Sequence, residues 1–306
     1  MKLPHVIESQ QFTVPLLMEL FDRTRQMEKV VARGGTRDYS SRVMASLFYE
    51  PSTRTRFSFE AAMYRLGGRV HVHRARAGVL VGDRGRAARG HDPDHLRLLG
   101  RDRPAPHRGG RRARARRGSR ACRSINAGDG GGGQHPTQAL LDLYTIYRER
   151  RTLDGLTIAI VGELDRGRTA RSLALPAEQV RAGEDLLRQP ARGADAPGHP
   201  RPPRRARRLV RPRSTTSRRM AGEVDVIYQT RIRPDRVGDR AALDRYTIDE
   251  RLLRRMKPDA MILHPLPRTV EIDKAVDDDP RALYFKQAAN GLFIRMALLT
   301  LLWDRE

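Results

Sequence analysis

Residues 41–68 read SRVMASLFYEPSTRTRFSFEAAMYRLGG. The opening SRVMASLFYE is a short apolar run and predicts a buried strand. PSTRT follows as a turn. RFSFEAAMYR then spaces its apolar side chains as a helix does, and Gly67-Gly68 supplies the stop. Strand, hydroxyl-rich turn and helix, in that order, are the repeating unit of an α/β fold.

The same grammar extends outward in both directions. QFTVPLLMELFDRTRQMEKVVAR (11–33) predicts a surface helix, with Thr13 and Pro15 at its start. After INAGDGGGGQHPTQ (125–138), the run ALLDLYTIYRER (139–150) predicts an amphipathic helix, and TLDGLTIAIVGELDRGRTARSLA (152–174) predicts strand, loop and helix start. VDVIYQTRI (224–232) and DAMILHPLP (259–267) read as two further apolar strands, and QAANGLFIRMALLTLLWDRE (287–306) as a long apolar-striped helix. Strands alternating with helices imply parallel sheets with ligands at the carboxyl ends of the strands. A length of 306 residues suits two such domains. The expectation is an α/β protein of two domains.

The chain carries a net charge of +24, which ordinarily points to nucleic acid or an anionic surface. Its distribution alters that reading. Residues 71–123 hold 16 Arg against 4 acidic residues and 176–219 hold 12 against 4, so these two segments carry +20 of the total. No lysine occurs between Lys29 and Lys257. Residues 82–123 and 188–213 show neither helical nor strand periodicity and are dominated by Arg, Ala, Gly and Pro, residues with GC-rich codons. Two explanations are open: a GC-rich gene read out of frame, or a pair of disordered basic arms that bind nucleic acid. Neither segment contains an aromatic residue, so neither offers a stacking platform for bases, and the frame explanation is preferred. A single cysteine, Cys122, excludes an internal disulfide. No run of eighteen apolar residues occurs and the N-terminus lacks the pattern of a secretory signal, so a cytoplasmic location is expected.

Four motifs carry chemistry. Ser52-Thr53-Arg54-Thr55 opens a helix, where outward N–H groups and the helix dipole favour an anion, hydroxyls add donors and a guanidinium forks onto phosphate oxygens. The plainer alternative is a Ser/Thr helix cap followed by solvated arginines. His135 and Gln138 lie at a loop-to-helix junction, where imidazole and amide can orient and polarise a carbonyl; a structural histidine capping the helix is the alternative. Arg168 and Arg231 each follow an apolar strand, and two guanidinium forks suit a dicarboxylate, whereas singly they read as surface ion pairs. His264-Pro265-Leu266-Pro267-Arg268 closes a strand with two prolines, presenting rigid carbonyls or simply a stiffened turn.

Together FYEPSTRTRFSFE, INAGDG, QHPTQALLD, GRT, TRI and ILHPLPR resemble, in order, the catalytic chains of the aspartate carbamoyltransferase family. The resemblance implies two doubly wound parallel-sheet domains, the first over residues 1–145 and completed by 288–306, the C-terminal helix that packs back on it, and the second over residues 150–287. It implies transfer of a carbamoyl group from carbamoyl phosphate to L-aspartate, the second step of de novo pyrimidine synthesis. Ser52, Thr53, Arg54 and Thr55 match the family's phosphate ligands. Thr55 and His135 match its contacts to the carbamoyl oxygen, and Gln138 with the carbonyls of Pro265 and Leu266 its contacts to the carbamoyl amino group. Arg54, Thr55 and His135 are thereby assigned to catalysis, Arg168 and Arg231 to aspartate, and Glu50 with Arg168 and Arg236 to domain closure. The substrate amine is the nucleophile, so no metal or organic cofactor is implied. A homotrimer with shared sites is expected, with a regulatory chain as a further partner the resemblance allows. No membrane is implied, and nucleic acid is disfavoured. An inactive homologue serving as a scaffold is the alternative function. The related ornithine enzymes carry a cysteine in the late loop where this chain has Pro265, and two arginines favour a second carboxylate over a second amine.

The chain also departs from the family. A loop bearing serine and lysine, and an arginine beside a histidine and proline, find no match between the STRTR helix and INAGDG. INAGDG and QHP are one glycine further apart than usual, Arg233 stands where glutamine is common, and Val270 where an acidic residue is common. Translated as written, the chain is expected to lack part of both sheets, to fold poorly in 71–123 and 176–219, and to turn over weakly. Resequencing codons 70–125 and 174–220 is expected to reveal a second frame encoding the serine-lysine loop. Confirmation of the printed frame overturns that reading.

Overall fold

The computed structural model describes residues 5–48, 52–74, 95–99, 123–129, 133–162, 168–179, 186–187, 221–232, 244 and 246–304. They fall into two units, Met1–Leu140 with Gly291–Glu306, and Leu141–Asn290.

In the first unit α1 (Val14–Ala32) begins after Thr13 with Pro15 in its first turn, where the missing N–H costs nothing. It buries Leu16, Leu17, Leu20, Phe21 and Met27 along one face. Strand β1 (Val43–Phe48) leads towards α2 (Thr53–Arg65), which buries Phe59, Ala62 and Met63. The helix stops as the sequence predicts: Gly67 takes a φ of +83°, and a Cβ there would lie 2.7 Å from the Arg37 Cα. Strands β2 (Arg69–Arg74), β3 (His95–Leu99) and β4 (Arg123–Asn126) complete a parallel sheet of order β2-β1-β3-β4. Val6 extends its edge by pairing with Ile125, donating to the Ser124 carbonyl at 2.8 Å and accepting from Asn126 at 2.7 Å.

The second unit holds β5 (Ile158–Val161), α4 (Arg168–Gln179), β6 (Leu186–Leu187), β7 (Val226–Gln229), α5 (Glu250–Leu253) and β8 (Met261–Leu263). Its sheet is again parallel, in the order β6-β5-β7-β8. Every residue of β5, β7 and β8 is buried, which explains why these strands read as unbroken apolar runs rather than alternating ones. Ala159, Val161, Ile227 and Ile262 pack with Ile248, Leu252, Leu253, Val276 and Tyr284 into one core.

The unit boundaries fall inside two helices, α3 (Pro136–Arg150) and α6 (Tyr284–Trp303). The C-terminal half of α6 belongs to the first unit and is buried on all sides from Ile294 to Trp303. Its one buried cation, Arg295, donates to Ser58 Oγ at 3.0 Å and lies 5.1 Å from the Phe59 ring centroid. Tyr39 anchors the helix end, with its ring 5.3 Å from that of Trp303 and its hydroxyl donating to Asp304 at 3.0 Å. Burial and that carboxylate push the Tyr39 hydroxyl up to about 12.

Two expectations are corrected. The stretch 82–123, read as without strand periodicity, contributes β3, which pairs with both β1 and β4, and the segment 176–219, expected to be missing from its sheet, contributes the two-residue β6. A parallel strand carries no alternation for a scan to find, and runs of five and two residues are too short to stand out against flanking Arg, Gly and Pro.

Candidate active site

In the first unit the strand order reverses between β1 and β3, the point in a parallel sheet where loops diverge and leave a crevice. The chain leaving β1 delivers Ser52 to the N-cap of α2. The Ser52 side chain makes no capping hydrogen bond, so the capping alternative is not realised; only its carbonyl serves the helix, accepting from Arg56 N–H at 3.0 Å. First-turn N–H groups have no acceptor within the helix, and the dipole adds positive potential. Thr53 and Arg54 are exposed at this end, Ser52 is half-buried and Thr55 is buried. Desolvation lowers the Arg54 guanidinium from its ordinary value, and arginine stays cationic in proteins regardless.

The chain leaving β4 is held by its own side chains. Asn126 accepts from Gly128 N–H at 2.9 Å and donates to the Ile7 carbonyl at 3.0 Å, while Gln134 accepts from Ser9 N–H at 2.9 Å. These contacts set where α3 starts. At the start of the helix the His135 carbonyl takes the Gln138 N–H at 3.0 Å and the Ala139 N–H at 3.3 Å. The ring is buried, with Nδ1 3.4 Å from Thr137 Oγ1, and Gln138 is half-buried one turn on.

In the second unit the reversal falls between β5 and β7. Arg168 opens the helix after β5, and Arg231 follows β7 directly. The register pairs Val161 with Gln229, so the two strands end level and both arginines leave the same edge of the sheet. The ends are clasped by Thr230, whose N–H and hydroxyl both donate to the Val161 carbonyl, at 2.7 and 3.0 Å. Gly162 allows this approach: its φ is +116°, and a Cβ would stand 2.6 Å from the Thr230 carbonyl oxygen. Arg168 is half-buried and Arg231 exposed. Glu50 and Arg236, expected in domain closure, lie outside the described residues, as do most of the Arg-rich segments on which the nucleic-acid alternative rests.

Strand β8 ends at the same edge, in the loop His264–Pro267. Leu266 has φ +45°, the left-handed region, and the Leu266-Pro267 peptide is cis. A non-glycine residue there costs of order 1–3 kcal/mol and persists only where its surroundings impose it. Here they do. Leu266 N–H donates to His264 Nδ1 at 2.8 Å, and His264 Nε2 meets Glu271 Oε1 at 2.9 Å, with both side chains buried. Glu271 also accepts from Thr269 Oγ1 at 2.8 Å and Thr269 N–H at 3.1 Å. His264 N–H donates to Gln287 Oε1 at 2.8 Å, Gln287 donates to Asp142 at 2.6 Å, and Tyr228 donates to the other Asp142 oxygen at 2.8 Å. Burial and the Asp142 carboxylate push the Tyr228 hydroxyl well above its ordinary value. Burial would raise the Glu271 carboxyl, but hydrogen bonds from His264 and Thr269 outweigh it and hold the group below the usual range. The sequence reading did not single out Glu271, Gln287, Asp142 or Tyr228, because their partners lie 7 to 145 positions away.

Two family models match the chain: "Aspartate/ornithine carbamoyltransferase, carbamoyl-P binding domain" over residues 4–148, and its "Asp/Orn binding domain" over residues 206–302. The chain belongs to the aspartate/ornithine carbamoyltransferase family. Among carbamoyltransferase relatives, the chloroplastic aspartate carbamoyltransferase of Oryza sativa subsp. japonica is 41% identical, over 99% of this chain and 85% of that protein. The ligand-free aspartate transcarbamoylase of Trypanosoma cruzi superposes with a TM-score of 0.80 at 31% identity, covering 97% of this chain and 95% of that one. A Trypanosoma cruzi aspartate transcarbamoylase in complex with N-(phosphonacetyl)-L-aspartic acid matches at TM-score 0.75 and 30% identity over the same shares.

Two outcomes follow. Replacing Gly162 by Ala is expected to cost about 1–3 kcal/mol in thermal denaturation, because the strained φ and the Thr230 contact cannot both be kept. The lowered Glu271 carboxyl contributes stability that is complete above its unfolded value near 4.5 and is lost as pH falls through the folded one. Stability of wild type measured below about pH 4.5 should therefore fall more steeply than that of E271Q.

Proposed function

We propose that the protein transfers the carbamoyl group of carbamoyl phosphate to the amino group of L-aspartate, releasing N-carbamoyl-L-aspartate and phosphate. The observation that carries the choice of acceptor is the pair Arg168, which opens the helix after β5, and Arg231, which follows β7, on either side of the strand reversal. Two guanidinium groups at one sheet edge favour a dicarboxylate over the second amine of ornithine. Pro265 stands where the ornithine enzymes carry a thiol.

In this reading the uncommitted hydroxyl of Ser52, with Thr53, Arg54, Thr55 and the first-turn N–H groups of α2, holds the phosphate. Thr55 and His135 polarise the carbamoyl oxygen, and Gln138 with the carbonyls of Pro265 and Leu266 orients the amino group. The aspartate amine attacks the carbamoyl carbon, the bond to the phosphate oxygen breaks, and the departing phosphate takes the amine's proton. Catalysis is thus positioning and charge stabilisation, with no protein nucleophile. The same proposal includes a homotrimer, a cytoplasmic location and a place in pyrimidine synthesis.

Steady-state assay of phosphate release should show turnover with L-aspartate and none with L-ornithine. R231A is expected to raise the aspartate KM about tenfold or more with the carbamoyl phosphate KM little changed, and R54A to lower kcat by about a hundredfold or more. Turnover of ornithine in place of aspartate overturns the reading. Failure to bind N-(phosphonacetyl)-L-aspartate favours the scaffold alternative.

A further inference from the structure

The loop that closes β8 is held by a buried polar chain that the proposed reaction does not use. Leu266 N–H can only donate, so His264 Nδ1 is the acceptor across their 2.8 Å contact and the neutral ring's single proton sits on Nε2. That proton faces Glu271 Oε1 at 2.9 Å. Glu271 in turn cannot swing away, because Thr269 holds it through its hydroxyl at 2.8 Å and its N–H at 3.1 Å. The backbone of His264 is fixed from the other side by Gln287, itself bonded to the Asp142 carboxylate that Tyr228 also engages. Each link leaves its neighbour one available orientation. The chain ends on the one residue of the loop whose backbone sits in the left-handed region, Leu266 at φ +45°.

We propose that Glu271, acting through His264, is a positioning residue for carbamoyl transfer: it fixes the imidazole that holds Leu266 N–H and so sets the direction of the Pro265 and Leu266 carbonyls. This rests on the reading in which those two carbonyls accept from the carbamoyl amino group. A hydrogen-bonded carboxylate suits the task better than an apolar contact. It orients the ring about its own axis as well as placing it, and a buried histidine without that partner could turn over and release the amide. The carboxylate touches no substrate in this scheme; its effect reaches the reaction only through the loop backbone.

The full-length protein with Glu271→Ala tests this. E271A is expected to raise the carbamoyl phosphate KM or lower kcat by about tenfold, with the aspartate KM within about twofold of wild type. E271Q, whose carboxamide oxygen still accepts from Nε2–H, should recover most of the loss. Nitrogen-15 spectra of the imidazole supply a readout that needs no substrate: wild type should show His264 with Nε2 protonated and Nδ1 bare, and E271A should lose that single form. Wild-type kinetics in folded E271A, or the opposite tautomer in wild type, overturns the proposal while leaving the assigned reaction standing. If E271A does not fold, the exposed Thr269→Val variant decides: a smaller rise in the carbamoyl phosphate KM supports the proposal, and unchanged constants overturn it. Absence of any carbamoyl transfer by the wild-type protein removes the assigned reaction and this proposal with it.

Discussion

Parallel pairing of β5 with β7 is the constraint on which the second unit's chemistry depends. Parallel strands end at the same edge, and where the order turns from β6-β5 to β7-β8 the loops at that edge must part. Arg168, Arg231 and the loop after β8 come from positions almost a hundred residues apart, yet that edge receives all three. The close approach needs Gly162, since any side chain there would meet Thr230 immediately before Arg231. Backbone geometry and the placing of Arg231 are thus one problem here. An identical logic in the first unit sends the turn after β1 and the junction after β4 to the carboxyl edge of the other sheet.

The start of α2 has a hydroxyl that the helix itself does not use. Ser52 occupies a position where serine commonly caps a helix, but its hydroxyl makes no such bond. A capping serine would neutralise the donors that a phosphate needs. Thr53 and Arg54 stay exposed while Phe59, Ala62 and Met63 pin the helix to the core, so the donors project from a rigid element. Preorganised donors lose little entropy on binding, which is why such sites favour helix ends over loops.

The loop after β8 uses the opposite strategy. Its polar groups are committed to one another: Glu271, His264, Gln287, Asp142 and Tyr228 form a buried set in which a left-handed leucine is held in place. In low dielectric a satisfied network of this kind is stiff, because breaking any link strands a buried polar group. Two prolines limit the remaining freedom.

Strands β1, β5, β7 and β8 and the helices α1, α2, α3 and α6 were legible because local pattern determines them: apolar runs, hydroxyl turns, helical spacing and Gly67 all act within a few residues, whereas β2, β3, β4 and β6 were not read. The hydroxyl-guanidinium turn, the His135 junction, the two arginines and the HPLP loop were legible for the same reason, each being a short motif. Pairing was not. Strand β3 carries no signature in its own five residues, and its place between β1 and β4 is set by neighbours distant in the chain. Nor could the sequence say whether Ser52 caps its helix, since either conformation suits the same residues and only the folded helix shows that its side chain makes no capping bond. The sequence by itself therefore determined those locally patterned elements and the kinds of group available. Tertiary structure alone decided which groups share a sheet edge and which acid holds His264, because those depend on contacts across the chain that no local pattern records.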